Sequence, residues 1–211
     1  MLTWQIYSEF FVAVLIALNP LGNIAFFLSL TSHQSAKEKS KTAIMAAIAI
    51  AITIVLTVWL GQRVLDAFGI SIGSFRMGAG IAILLVGISM VKNGADAPPP
   101  THALDADQPL KKNIAVVPLA IPIVAGPATL GVIISQTENI PGIWDELIFS
   151  GLGLVATFII WIIFKFAVPV GRILGQEGIN IITRIMGLIL MAIAMESMSK
   201  GIRLLFPGLA Q

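Results

Sequence analysis

Asn19 and Asn23 stand four residues apart with Pro20 and Gly22 between them, in the middle of an apolar run from Phe10 to Leu30. Proline removes a backbone donor and clashes with the preceding turn, and glycine adds backbone freedom, so "NPLG" unwinds a helix locally. The backbone groups released this way can bind. Half-helix N-termini favour a negative group such as a carboxylate, and freed carbonyls accept an ammonium or coordinate a cation. A zwitterionic amino acid fits that pair of fields.

A second interruption lies in the run from Ile114 to Ile134, which contains Pro118, Pro122, Gly126, Pro127 and Gly131. Pro20 aligns with Pro127 at an offset of 107, and Thr129 adds a hydroxyl beside the second break. Irregular backbone at membrane depth is tolerated only where it is buried in protein or lines a wet cavity. Paired Gly/Pro interruptions in corresponding segments point to the central site of a transporter. The candidate substrate-binding residues are therefore Asn19, Pro20, Gly22, Asn23, Gly126, Pro127 and Thr129. Two roles stay open for the polar ones: solute contact, or a hydrogen bond that holds helices together.

Three charged residues inside or beside the apolar runs are candidates for coupling or gating. Glu196 is the only acid in "LMAIAMESMSK" and is either a proton carrier or one half of a structural pair with Arg76, Lys200 or Arg203. Arg76 and Arg184 are either snorkelling anchors or gating and carboxylate contacts.

The elements that must position these residues follow from composition. Of 211 residues 57% are hydrophobic and 11% charged, with a mean hydropathy of +0.94, against about a quarter charged in soluble domains. The chain is an integral membrane protein. Apolar windows at about 10–30, 42–60, 72–91, 114–135, 147–168 and 179–198 approach the ~20 residues a spanning helix needs. They are continuous and rich in Ala, Leu and Ile, which predicts an all-α bundle of six transmembrane helices rather than a barrel.

The two halves look duplicated. "RVLDAFGI" from Arg63 overlies "RILGQEGI" from Arg172 at an offset of 109, and Arg76, Ile81, Ser89, Met90 and Lys92 overlie Arg184, Ile189, Ser197, Met198 and Lys200 at 108. Three helices per unit make the copies cross in opposite directions, an inverted repeat. The expected division is a first repeat over 1–94, a proline-rich cytoplasmic linker over 95–112 and a second repeat over 113–211. Lys and Arg crowd the links after windows 1, 3 and 5, nine against four on the other side, which places those links inside and both termini outside. Trp4, Trp59 and Trp144 then fall at the outer interface, whereas Trp161 lies deeper.

Several chemistries are excluded. There is no cysteine, and the histidines, His33 and His102, lie in links, so acid–base and metal catalysis lack their parts. His102, Asp105 and Asp107 sit in the linker, where nothing fixes them as metal ligands. No cofactor is expected, and no nucleotide-binding motif appears, so transport would be coupled to Na⁺ or H⁺ or be uncoupled. The expected partners are a small solute, the lipid bilayer and, as a candidate, a second copy of the chain, with no nucleic acid among them.

"NPLG" at 19–22, "FGISIGSFRMGAGI" at 68–81, "VPLAIPIVAGPAT" at 117–129 and "GINIITRIMGLILMAI" at 178–193 together resemble the MarC family of bacterial inner-membrane proteins over essentially the whole chain. The resemblance implies a multi-pass inner-membrane protein, a central site at the two interrupted helices, and transport of small neutral amino acids such as glycine or alanine. A passive channel or exporter, and a non-transporting scaffold or regulator, are the alternatives.

Overall fold

The computed structural model describes residues 2–94, 124–137 and 142–209, and within them every regular element is helical. The helices are α1 (Trp4–Leu18), α2 (Asn23–Leu30), α3 (Ala36–Ala67), α4 (Ile72–Asn93), α5 (Pro127–Gln136), α6 (Ile143–Lys165) and α7 (Ala167–Leu205). Four of them, α3, α4, α6 and α7, are long and apolar enough to cross a membrane. The window expected at 10–30 is α1 and α2 with a break between them; the linker and most of the run before α5 lie outside the described residues.

Helix ends follow local chemistry. Ser35 and Glu38 form a capping box that opens α3, the Ser35 amide donating to the Glu38 carboxylate at 2.8 Å. At the far end Gly69 takes φ +65°, and the Gly69 and Ile70 amides return to the carbonyls of Asp66 and Leu65 at 3.0 and 2.9 Å. This Schellman turn leads directly to Ser71, which caps α4 by accepting from the Ser74 amide.

The link expected near 169–178 is not a loop. Helix α6 ends at Lys165 and α7 begins at Ala167, where Pro169 is tolerated because the first turn needs no amide donor. Gly175, at φ 62° and ψ 175°, then kinks α7 in a conformation open essentially to glycine alone.

The closest packing in the bundle is the antiparallel seam of α4 on α7. Gly73, Gly80 and Gly87 recur every seven residues and face Gly201, Ala194 and Gly187. A methyl carbon added to Gly187 would lie 2.9 Å from the Gly87 carbonyl oxygen, and one added to Gly201 2.9 Å from that of Gly73. Close backbone approach of this kind is what small residues provide between membrane helices, where no hydrophobic effect drives association.

Helix α3 packs on α6, with Gly153 against Ile54 and the Trp59 indole donating to Ser150 Oγ at 3.0 Å. Ala43, Ala46 and Ala47 lie buried on the inner face of α3. Helix α5 wedges against both α3 and α4, Gly131 against Ala79 and Gly61 against Ile134. Phe10 meets Phe149 edge-on at 4.7 Å, and Phe27 stacks on Phe164 at 4.7 Å, which ties α1 and α2 to α6. Near the amino end, buried Asp145 accepts from the Tyr7 hydroxyl and from the Leu2 amide at 3.0 Å.

The seam is testable. Gly187→Leu should force α4 and α7 apart and destabilise the purified protein by about 1–3 kcal/mol, the cost of overpacking. Gly78→Leu on the same helix α4, with open space at its Cβ position, should leave thermal unfolding unchanged. Equal melting temperatures for the two variants would refute the role given to the seam.

Candidate functional site

The first break is built by Asn19. It is the only non-glycine residue with positive φ among the described residues, at φ 42° and ψ 60°, the left-handed region that asparagine tolerates best after glycine. Its amide still bonds back to Leu15 and Ile16 at 3.2 and 3.1 Å, which closes α1. Pro20 cannot carry the ladder on, and the Asn19 side-chain oxygen accepts instead from the Gly22 amide at 3.2 Å. Gly22 is needed there, because a Cβ at this position would collide with the Asn19 carboxamide.

Asn23, the first residue of α2, is buried and donates from Nδ2 to the Leu18 carbonyl at 2.8 Å. It thereby replaces the backbone bond that the break removes. Helix α5 starts in the same manner. Gly126 is extended at its N-cap, Pro127 occupies the first position where its missing donor costs nothing, and buried Thr129 donates from Oγ1 to the Val124 carbonyl at 3.0 Å.

Both bonds reach back five residues across a non-helical step. Asn23 and Thr129 therefore correspond at an offset of 106, one residue from the register of the two prolines. The same function is filled by an amide on one side and a hydroxyl on the other.

A cavity of about 620 Å³ lies between α1, α4, α5 and α7. One end is polar, with Glu9, Arg76, Gln136 and Lys200 near helix termini that gather on one side of the bundle. The other end is apolar, with Ile16, Ile83, Val132 and Ile189. Ile16 and Val132 each stand three residues from a break, at Asn19 and at Thr129.

Two of the expected charged residues meet at this cavity. Arg76 on α4 donates from Nη2 to the Ser135 carbonyl at the end of α5, 2.7 Å away, and its own carbonyl accepts from Ser197 on α7 at 3.3 Å. Glu196 pairs with Lys200 one turn on, at 3.3 Å, with both side chains about half exposed or more. Arg184 is exposed elsewhere on α7 and does not line the cavity. The seven candidate binding residues, Asn19, Pro20, Gly22, Asn23, Gly126, Pro127 and Thr129, form the walls of the two breaks rather than the cavity lining.

Sequence reasoning passed over Glu9, Ser135 and Asp145. Glu9 precedes the apolar run by one residue, yet α1 begins five residues earlier, so Glu9 shares a helical face with Val12 and Ile16 at the cavity. Asp145 sits in a stretch that reads as an exposed link. Its signal was its place in the first turn of α6, where the helix dipole favours an acid.

The fastening bonds can be measured. Asn23→Leu and Thr129→Val each leave a buried carbonyl without its donor and should cost about 1–3 kcal/mol of stability in detergent. Thr129→Ser, which keeps the hydroxyl, should recover most of the loss. If Val and Ser at 129 melt alike, the hydrogen bond contributes nothing.

A family model for MarC family integral membrane proteins matches residues 4–206. A UPF0056 membrane protein of Buchnera aphidicola from Acyrthosiphon pisum is 38% identical over 206 residues, 97% of this chain and 95% of its own. The UPF0056 membrane protein YhcE of Escherichia coli K12 is 36% identical over 208 residues, 98% and 96% of the two chains. The UPF0056 inner membrane protein MarC of Citrobacter koseri is 30% identical over 202 residues, 90% and 91% of the two chains. No solved structure matches. With nearly its whole length matched by the family model and by relatives of like size, the chain belongs to the MarC family of integral membrane proteins.

Proposed function

We propose that this protein is a secondary transporter of small neutral amino acids, glycine- or alanine-like, or of similarly small metabolites, and that it works by alternating access around the two helix breaks. The observation that carries the reading is the pair of side-chain hydrogen bonds, Asn23 to Leu18 and Thr129 to Val124, which hold open two non-helical steps in buried surroundings. Broken helices at depth are expensive, and a scaffold has no use for two of them.

Helix packing supports an inverted repeat of two three-helix units, 1–94 and 113–211, joined by 95–112. Helix α4 packs on α7 and α3 on α6, so the second and third helices of the first half meet their counterparts in the second. The cross-pairs α4 with α5 and α2 with α7 exchange under the same operation. In this arrangement the protein has six spans in the bacterial inner membrane, with both termini outside, and the cavity opens outward. Solute would reach Asn19, Pro20, Gly22 and Asn23 on one side and Gly126, Pro127 and Thr129 on the other by way of the cavity floor.

Coupling, by Na⁺ or H⁺, would act near the cavity, where Glu196 and Arg76 stand. Proteoliposomes should take up radiolabelled glycine or alanine with saturation, and Asn19→Ala should reduce that uptake by about tenfold or more while the protein stays folded. Non-saturating flux would mean a channel; no flux of either amino acid would overturn the reading. Glu196→Gln should abolish any dependence of uptake on a proton gradient, and unchanged dependence removes Glu196 as the proton carrier.

A further inference from the structure

We infer that the polar end of the cavity is a binding site in its own right, separate from the helix breaks, and that it captures zwitterions with an aliphatic side chain larger than that of alanine. The inference rests on the transporter reading only in taking a zwitterion as the solute.

Size is the first ground. A cavity of about 150 Å³ holds benzene, and this one measures about 620 Å³, within the usual range for small-molecule sites. The volume admits a side chain well beyond the methyl group of alanine. An aliphatic chain of three or four carbons would cover the apolar end formed by Ile16, Ile83 and Val132.

Charge is the second ground. At the mouth the cavity carries Glu9 and Arg76 beside the Glu196–Lys200 pair, closed at 3.3 Å, so neither a bare cation nor a bare anion is matched by the whole set. A solute bearing an ammonium and a carboxylate on one carbon is. Arg76 is held in place by its bond to the Ser135 carbonyl, which plants a guanidinium at the rim.

The third ground is an unmade bond. Ser135 lines the cavity, is 8% exposed, and its hydroxyl has no hydrogen-bond partner among the described residues. Neighbouring Thr137 spends its hydroxyl on the Ile133 carbonyl at 2.9 Å, the usual resting place for such a group in a helix. A buried hydroxyl left unpaired costs free energy, and a carboxylate oxygen bridging Ser135 and Arg76 would satisfy it. The aliphatic chain then points down the cavity, and Glu9, the lining acid outside the Glu196–Lys200 pair, is left for the ammonium.

Binding of L-leucine and glycine to the purified full-length protein, read by calorimetry or thermal shift, tests this. L-leucine should bind, and 3-methylbutylamine and 4-methylpentanoate, which each lack one charged group, should bind about tenfold more weakly or not at all. Ser135→Ala should weaken L-leucine by about tenfold, the loss of one charge-assisted hydrogen bond. Ala192→Trp, which fills the cavity from an exposed position on α7, should abolish L-leucine binding without altering the melting temperature of the unliganded protein.

No binding of L-leucine, or binding that both variants leave intact, overturns the proposal, as does equal affinity for 3-methylbutylamine. The two readings fail separately. Saturable glycine uptake without L-leucine binding removes this site and spares the transporter; L-leucine binding lost in Ala192→Trp, with no glycine uptake, sustains this site and removes the glycine reading.

Discussion

The structure depends on one constraint: a peptide carbonyl removed from its helix in a buried apolar interior has no water to turn to. Each such group left unpaired there costs free energy, so a broken helix in that interior is stable only if something local replaces the lost donor. Asn23 and Thr129 are those replacements, each reaching back five residues to the orphaned carbonyl. Asn19 does the complementary work by taking the left-handed conformation itself and accepting from the Gly22 amide. The polar residues in these apolar runs therefore have a first task that is structural. Any solute would meet an assembled wall of backbone and capped side chains rather than loose amides.

That constraint divides the bundle into closely packed helix pairs and the broken elements that lie against them. The α4–α7 seam brings backbones together at glycine after glycine, and the fit admits no added methyl group at Gly87, Gly187 or Gly201 without displacement. The pair α3–α6 is fixed by a buried aromatic and aliphatic face and by the Trp59–Ser150 bond. The broken elements pack against these pairs: α1 and α2 lean on α6 through ring contacts, and α5 lies against α3 and α4. The cavity sits where the broken elements meet the seam, between α1, α5, α4 and α7.

Much of this was legible in the sequence, for stated reasons. The helical class follows from apolar windows of spanning length, and the breaks follow from proline and glycine, whose backbone effects do not depend on neighbours. Partnership between helices was not legible. In each Gly-x-Gly pair one glycine packs and the other does not: Gly80 meets Met198 while Gly78 faces open space, and Gly153 meets Ile54 while Gly151 meets nothing. The sequence offers no sign of which is which, because the choice is made by the facing helix. The heptad of Gly73, Gly80 and Gly87 gains meaning only beside Gly187, Ala194 and Gly201 running the other way. Glu9 was lost to a window boundary, and the turn at Phe166 to the expectation that a basic stretch must be a loop. There, the charges of Lys165 and Arg172 lie on helices that run almost directly into one another.

Arg76 and Arg184 align in the sequence at an offset of 108, the prolines of the breaks at 107, and the hydrogen bonds that fasten the breaks at 106. If identity of residues were what mattered at the breaks, the prolines would also set the register of the donors, and they do not. What recurs is a spacing, a donor five residues beyond an orphaned carbonyl, filled by an amide at one break and a hydroxyl at the other. The two breaks are thus equivalent in how they are held and different in what they present. Asn19 shows a carboxamide in a left-handed turn, whereas the second break shows an extended Gly126 followed by Pro127 with no side-chain amide.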